Sequence, residues 1–262
     1  DLITSLKKAH KHGLPSSRYP ISELESIRSQ VDPSQLAKLE LLATEAFILF
    51  ARDISTGILV PNIIDENINI YPTRVDARKI LAKLRDNPNV ENYFNNMAPK
   101  DRDYQLLINE LENIKNVVLN SLWGNPVPSD VSLAFGMTHE NVLKLRSRLN
   151  KMGYPVEDNG SMVFDRPVEN AAKRFQEYHG LNPDGVFGKR SLEAINVDAK
   201  TRAIQILVNL ERLRWNNSPK DSEYILVNQP DFEAFFEKNG ERVWESRVVI
   251  GLPSNQTAEF ND

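Results

Sequence analysis

The residues with the greatest chemical reach in this chain are four histidines, one aromatic helix end and one tight acidic turn. His10 and His12 are one residue apart, while His139 and His179 stand alone. On a strand His10 and His12 would share a face and offer half a metal site. On a helix they would not, and no acidic partner sits beside them, so polar residues near a helix end is the favoured reading. No H-E-x-x-H run and no H-x-H pair with an attendant Asp occurs, so a zinc hydrolase would need scattered ligands. Cysteine is absent, which excludes thiolate catalysis by these residues, thiolate zinc sites and a disulfide framework. No G-x-S-x-G elbow is present to expose a serine nucleophile. The remaining cluster is Phe175, Tyr178, His179 and Phe187. It is either a groove that stacks on sugar rings or peptides or, for Phe175 and Phe187, the core of a small bundle. Tyr178 and His179 sit at a helix end beside Asn182-Pro183-Asp184-Gly185 and are the better ligand contacts. Asp184-Gly185 reads as turn chemistry, with the glycine supplying a positive φ. The candidate ligand contacts are therefore Tyr178, His179, Asp184 and Phe187.

Helices must position these groups. Asp32-Pro33 opens one, with Leu36, Leu39, Ala43, Ala46, Phe47 and Phe50 at helical spacing and Gly57 as its stop. Further helices are predicted over residues 75–85 and 101–122, the latter with Tyr104, Leu107, Leu111, Ile114 and Val118 on one stripe. Gly124-Asn125-Pro126-Val127-Pro128 breaks helix and marks a boundary. Beyond it Thr138 is expected to cap a helix carrying Val142, Leu145, Leu149 and Met152 and ending at Gly153. A turn-rich stretch follows at residues 157–161. Asp165 caps a helix with Val168, Ala171, Ala172, Phe175 and Tyr178 inward and Gly180 as its stop, and a short helix ends near Ile195. Asp198 opens another, with Ile204, Leu207, Leu210 and Leu213 as the apolar edge. Its Glu211, Arg212 and Arg214 read as a solvated face or an ion pair between domains, and Trp215 as an anchor between them. The period then changes to that of strands over 224–228, and the segments 232–237 and 242–250 flank Asn239-Gly240, a strong hairpin signal. The fold class is mainly α with a C-terminal antiparallel β segment, α+β.

Three blocks in this order resemble the large periplasmic L,D-transpeptidases. Ala9-His10-Lys11-His12-Gly13-Leu14-Pro15 with Tyr19, Gly57-x-x-Val60-Pro61, and Ala98-Pro99 with Tyr104 and Leu107 resemble that family's helical scaffold domain. LRSRLNKMGY followed by FDRPVENAAKRFQEYHGLNPDGVFGKRSLEAIN resembles its peptidoglycan-binding module. Asn209-Leu210-Glu211-Arg212-Leu213-Arg214-Trp215, YILVN and RVVIG resemble the entry to its catalytic fold. The resemblance implies a scaffold domain over residues 1–124, a three-helix peptidoglycan-binding module over 125–197, and a linker helix with the first catalytic-domain strands over 198–262. One departure is small: Gln256-Thr257 is followed by Ala258 where the family has Thr-Pro.

The resemblance also implies a reaction. A cysteine thiolate, activated by a neighbouring histidine, attacks a carbonyl between an L- and a D-centre of a stem peptide. A thioester forms and D-alanine leaves, and an amine of a second stem resolves the thioester into a 3-3 cross-link. The family's Ser-His-Gly-Cys-Val/Ile-Arg run lies downstream of Asp262, so this chain is expected to be inactive alone and has no catalytic residue of its own. The resemblance further implies no cofactor, peptidoglycan as partner, a periplasmic, wall-associated setting and carbapenem sensitivity of the complete enzyme. A non-catalytic wall-binding or scaffolding protein is the alternative.

Composition fits these expectations without selecting among them. The 262 residues are 40% hydrophobic and 26% charged, with net charge −4. Lys and Arg are interleaved with Asp and Glu, which gives no support for nucleic-acid binding. The longest mostly apolar stretch, residues 41–51, is too short to cross a bilayer and contains Glu45. The chain starts at Asp1, so a membrane anchor or targeting segment upstream of residue 1 is an expectation for the parent protein.

Overall fold

The computed structural model describes residues 1–29, 32–86, 89–157, 159–216, 222–252 and 254–260. Position 158, within the turn-rich stretch 157–161, therefore lies outside the described residues. The fold is mainly helical with a small antiparallel sheet near the C-terminal end, as the periodicities require. The α-helices in chain order are α1 (Leu2–Lys7), α2 (Ile21–Arg28), α3 (Pro33–Thr56), α4 (Pro61–Ile64), α5 (Ala77–Asp86), α6 (Val90–Met97), α7 (Arg102–Asn120), α8 (Asn141–Lys151), α9 (Arg166–Tyr178), α10 (Lys189–Ile195) and α11 (Ala199–Trp215). The strands are β1 (Ile68–Asn69), β2 (Glu223–Asn228), β3 (Glu233–Lys238), β4 (Glu241–Arg247) and β5 (Glu259–Phe260). No helix among the described residues is long and apolar enough to cross a membrane.

Two compact units emerge. The first comprises Asp1–Leu111 and Ile206–Asp262. Its α3 begins as the sequence demands: Asp32 accepts from the Ser34 amide at 3.0 Å, and Pro33 occupies the first turn, where its missing N–H costs nothing. Only the C-terminal half of α3 is buried. Phe47 and Phe50 pack on Phe94 with ring centroids 4.8 and 4.5 Å apart, whereas Leu36, expected on the inward stripe, is 60% exposed. The sheet has the order β2-β3-β4. Asn239 and Gly240 both adopt positive φ, +52° and +81°, the backbone that a two-residue hairpin needs. The second arm is shorter than predicted and stops at Arg247. A parallel pairing of β1 with β5 was not legible in sequence, because each partner is only two residues long.

The second unit is Glu112–Gln205. Its helices α8, α9 and α10 close over one core that includes Val142, Leu145, Leu149, Val168, Phe175, Phe187 and Ile195. Two short backbone bridges, Leu133 with Phe187 and Thr138 with Val163, tie the segments preceding the helices together. Thr138 is thus held in extended pairing and does not cap α8. Glu140 occupies the cap position without a side-chain bond, and just before it His139 Nδ1 accepts from the Asn141 amide at 3.1 Å. Asp165 does cap α9, accepting from the Val168 amide at 3.2 Å.

Candidate functional site

The C-terminal end of α9 presents an aromatic surface. Tyr178, the last residue of the helix, is 79% exposed. Its ring centroid lies 6.3 Å from that of Tyr154, and Tyr154 lies 6.2 Å from His179. His179 stacks on Phe175 at 4.0 Å, so a buried ring fixes the plane of a half-buried one. The His179 Nδ1 is 2.8 Å from the Phe175 carbonyl oxygen. A carbonyl can only accept, so Nδ1 carries the hydrogen and Nε2 of the neutral ring is left as an acceptor. Burial, with a contribution from the Arg202 charge, lowers the His179 pKa, which keeps the ring neutral at physiological pH. The result is a platform of two tyrosines and a neutral imidazole, suited to the C–H face of a sugar with hydroxyls at its rim. Tyr154 was not singled out in the sequence. Its position directly after the helix-ending Gly153 was the available signal.

The other two predicted contacts lie elsewhere. Phe187 is wholly buried in the bundle core, which is the packing alternative stated for it. Asp184 is exposed, but its Oδ1 accepts from the Val186 amide at 2.8 Å and from Gln176 Nε2 at 3.1 Å. The carboxylate therefore shapes the turn. Gln176, 1% exposed, completes that turn: its Nε2 also donates to the Val186 carbonyl at 2.9 Å, and its Oε1 accepts from the Gly185 amide at 2.8 Å. Gly185 sits at φ +80°, where a Cβ would approach Glu169 Cγ and Lys173 Cε to 2.9 Å. Those flexible side chains can yield, so the backbone conformation dominates the cost. Gly185→Ala is expected to destabilise this unit by about 1–2 kcal/mol, read as a lowered urea midpoint with an unchanged slope.

Two arginines of α8 are internal struts. Arg146 is wholly buried, and its guanidinium donates to Asp165 Oδ2 at 2.6 Å, the Val163 carbonyl at 2.9 Å and the Glu157 carbonyl at 3.1 Å. Arg148 donates from Nε to the Ile195 carbonyl at 2.7 Å and from Nη1 to the Gly124 carbonyl at 3.2 Å. Neither arginine was singled out in the sequence.

In the first unit the charged set on α11 corrects its sequence reading. Glu211 and Arg214 are 7% and 1% exposed, so the solvated-face alternative fails for them, and their ion pair, at 3.1 Å, lies within α11 rather than between domains. Glu211 Oε1 accepts from the Ile58 and Leu59 amides at 2.7 and 2.8 Å, and from Trp215 Nε1 at 3.3 Å. Arg214 donates to the Tyr104 hydroxyl at 3.1 Å and to the His12 carbonyl. Arg212 pairs instead with Glu259 at 2.6 Å. The expected apolar edge also moves: Ile204 is 60% exposed, while Ile206 and Leu210 are buried. Trp215 packs on Ile68 and Ile70.

The paired histidines of the first block diverge. His10 Nδ1 lies 2.8 Å from the Lys7 carbonyl and His12 Nδ1 lies 3.3 Å from the Tyr104 hydroxyl. Burial first, then the charges of Arg214, Lys100 and Lys11, lower the His12 pKa to about 4, so it is neutral and accepts from Tyr104. Among the described residues no cluster of three His, Cys, Asp or Glu could hold a metal. Ser5 and Lys8 have S-x-x-K spacing and both line a small cavity. Lys8 is paired with Glu91 at 2.7 Å and Ser5 Oγ donates to the Asp1 carbonyl at 3.3 Å, so no base addresses the serine.

Comparison with known families places this geometry. Residues 1–111 match the family described as "Scaffold domain", and residues 138–195 match "Putative peptidoglycan binding domain". The second match coincides with α8–α10 and their core. A "Probable CtpA-like serine protease" of Staphylococcus saprophyticus is 35% identical over 69 residues, 26% of this chain and 14% of that protein. One of the same description from Staphylococcus haemolyticus is 36% identical over 67 residues, 26% of this chain and 13% of that protein. The chain thus spans about one seventh of the length of these relatives. The family matches support a cell-wall-binding and scaffold role, with peptidoglycan as the partner.

Proposed function

We propose that this chain is the wall-binding and scaffold portion of an L,D-transpeptidase, organised as a helical scaffold over residues 1–124, a peptidoglycan-binding module over 125–197, and the entry to a catalytic domain over 198–262. The observation that carries the wall-binding part is the coincidence of the matched segment 138–195 with a closed bundle that exposes an aromatic platform. Support for the finer reading comes from the order of blocks: scaffold match first, module second, then the Glu211-Arg212-Leu213-Arg214-Trp215 run and the β2–β4 ribbon. The ribbon also shows an uncovered apolar row. Ile225 pairs across to Phe236 and Phe236 to Trp244, and Ile225 and Trp244 are 70% and 52% exposed. Such a row suits a sheet that further structure covers.

In this reading the chain contributes wall binding and positioning, and the thiol chemistry resides in a catalytic domain with its cysteine, which these 262 residues lack. Tyr178 and His179, with Tyr154 beside them, contact glycan or stem peptide, and Gln176, Asp184 and Phe187 hold their support. The setting is periplasmic, with the parent protein anchored at the membrane upstream of residue 1. A wall-binding protein that recruits partners without catalysis is the alternative.

Co-sedimentation with purified sacculi tests the binding role. The intact chain is expected in the pellet, and removal of residues 142–195 should leave it in the supernatant. Tyr178→Ala, at a site too exposed to affect folding, should weaken retention about fivefold to tenfold, the worth of roughly 1–1.4 kcal/mol of ring contact. Unchanged retention of the deletion variant would remove the module from wall binding altogether.

A further inference from the structure

A cavity of about 190 Å³ lies between the segment Trp123–Gly124–Asn125 and one face of α8. Its helical wall is Lys144, Ser147, Arg148 and Lys151, the i, i+3, i+4 and i+7 positions that share a helix face. From this geometry we infer that the cavity is a carboxylate-binding subsite for the acidic stem peptide of peptidoglycan. The inference rests on the wall-binding reading above and deepens it with a second contact.

Charge is the first argument. Three of the seven lining residues are cationic and none is acidic. Five lysines elsewhere are paired with carboxylates: Lys7 with Glu25, Lys8 with Glu91, Lys38 with Glu23, Lys173 with Glu169 and Lys238 with Glu223. Among the described residues Lys144 and Lys151 have no such partner. Among the described residues Arg148 is bonded only to neutral backbone carbonyls, at Ile195, Trp123, Gly124, Asn125 and Val197. Those bonds fix the guanidinium in place without cancelling its charge. A chain of net charge −4 has acidic residues to spare, so three cations around one cavity without one of them mark a place where an incoming anion finds uncompensated charge.

Shape and chemistry narrow the ligand. Trp123 flanks the cations, its ring 6.0 Å from the Arg148 guanidinium carbon. An indole wall beside ammonium groups favours a carboxylate carried on a carbon frame over a bare inorganic ion, because the frame gains apolar contact while the charge is paired. The volume is enough for one acidic amino-acid unit. A stem peptide with free carboxylates meets both limits, with its sugars lying outside the cavity.

The test titrates the full chain with three probes: a soluble disaccharide-tripeptide with free carboxylates, the same compound with its carboxylates amidated, and inorganic phosphate. Binding is read by calorimetry and by amide NMR shifts. The acidic muropeptide is expected to bind and to shift Ser147 and its neighbours, and the amidated form to bind at least tenfold more weakly. Lys144→Gln with Lys151→Gln should weaken the acidic muropeptide at least tenfold and leave the melting temperature unchanged, since both side chains are exposed. Arg148 is left intact because its carbonyl bonds are structural. Equal affinity of the double variant, equal affinity of the amidated probe, or binding of phosphate with none of the muropeptide would each overturn the subsite. Sacculi distinguish this from failure of the parent reading. Loss of co-sedimentation by the unaltered chain refutes wall binding itself, whereas retained co-sedimentation with any of the three results above refutes the subsite alone.

Discussion

Glu211→Ala is expected to lower the stability of the first unit by about 4 kcal/mol, because it removes one acceptor and strands several donors at once. The Ile58 and Leu59 amides, Trp215 Nε1 and the Arg214 guanidinium all point at this carboxylate, and Arg214 is 1% exposed. Water cannot reach that charge, so the loss exceeds the few tenths typical of a surface pair. Gly57 shows how closely the loop is fitted to the acid: a Cβ there would fall 2.5 Å from Glu211 Oε1, at φ +84°. Glu211→Gln should be intermediate. Its amide oxygen can still serve the two backbone donors, but its NH₂ cannot pair with Arg214. Calorimetry of the three proteins checks the order, with a shift of roughly 10 °C for the alanine variant. An alanine variant that melts within about 2 °C of the unaltered chain would refute the hub.

Arg146→Ala is expected to cost the module about 3 kcal/mol, the lower end for a broken buried pair, because Asp165 is 35% exposed on its side chain and can recruit water. The Val163 and Glu157 carbonyls lose their partner too. A unit of about ninety residues has a total stability of about 5–14 kcal/mol, so this loss is a large share of it. The functional consequence is indirect: sacculi retention should fall on warming, where the unfolded fraction grows, and recover on cooling. Tyr178→Ala should instead weaken retention at every temperature. Arg146→Lys, which keeps a charge but reaches fewer acceptors, should fall between. Equal retention of Arg146→Ala and the unaltered chain at all temperatures would show that the strut is dispensable.

Much of this protein was local and therefore readable. Asp32, Asp165 and Asp198 announce their helices through side-chain acceptors two or three residues from the amides they serve. Asn239-Gly240 announces its hairpin through positive φ, and the inward face of α9 follows a clean helical period. The bundle of α8–α10 came with those signals, but Tyr178, expected on the inward face of α9, is 79% exposed because the core closes at Phe175.

Only tertiary structure decided the roles of Arg146, Arg148, Gln176, Glu211 and Arg214. Periodicity counts apolar side chains, and it assigns a charge to the outside because desolvating an ion is costly. That assignment reverses when distant backbone supplies the compensation. Glu211 meets amides 152 and 153 positions earlier in the chain, and Arg214 meets Tyr104 across 110. The same long-range folding moved the buried edge of α11 from Ile204 to Ile206 and drew Thr138 into pairing with Val163, away from the cap of α8. A residue's own neighbours fix its helix or turn, but whether a charge can be buried depends on groups that only the folded chain brings within hydrogen-bond distance.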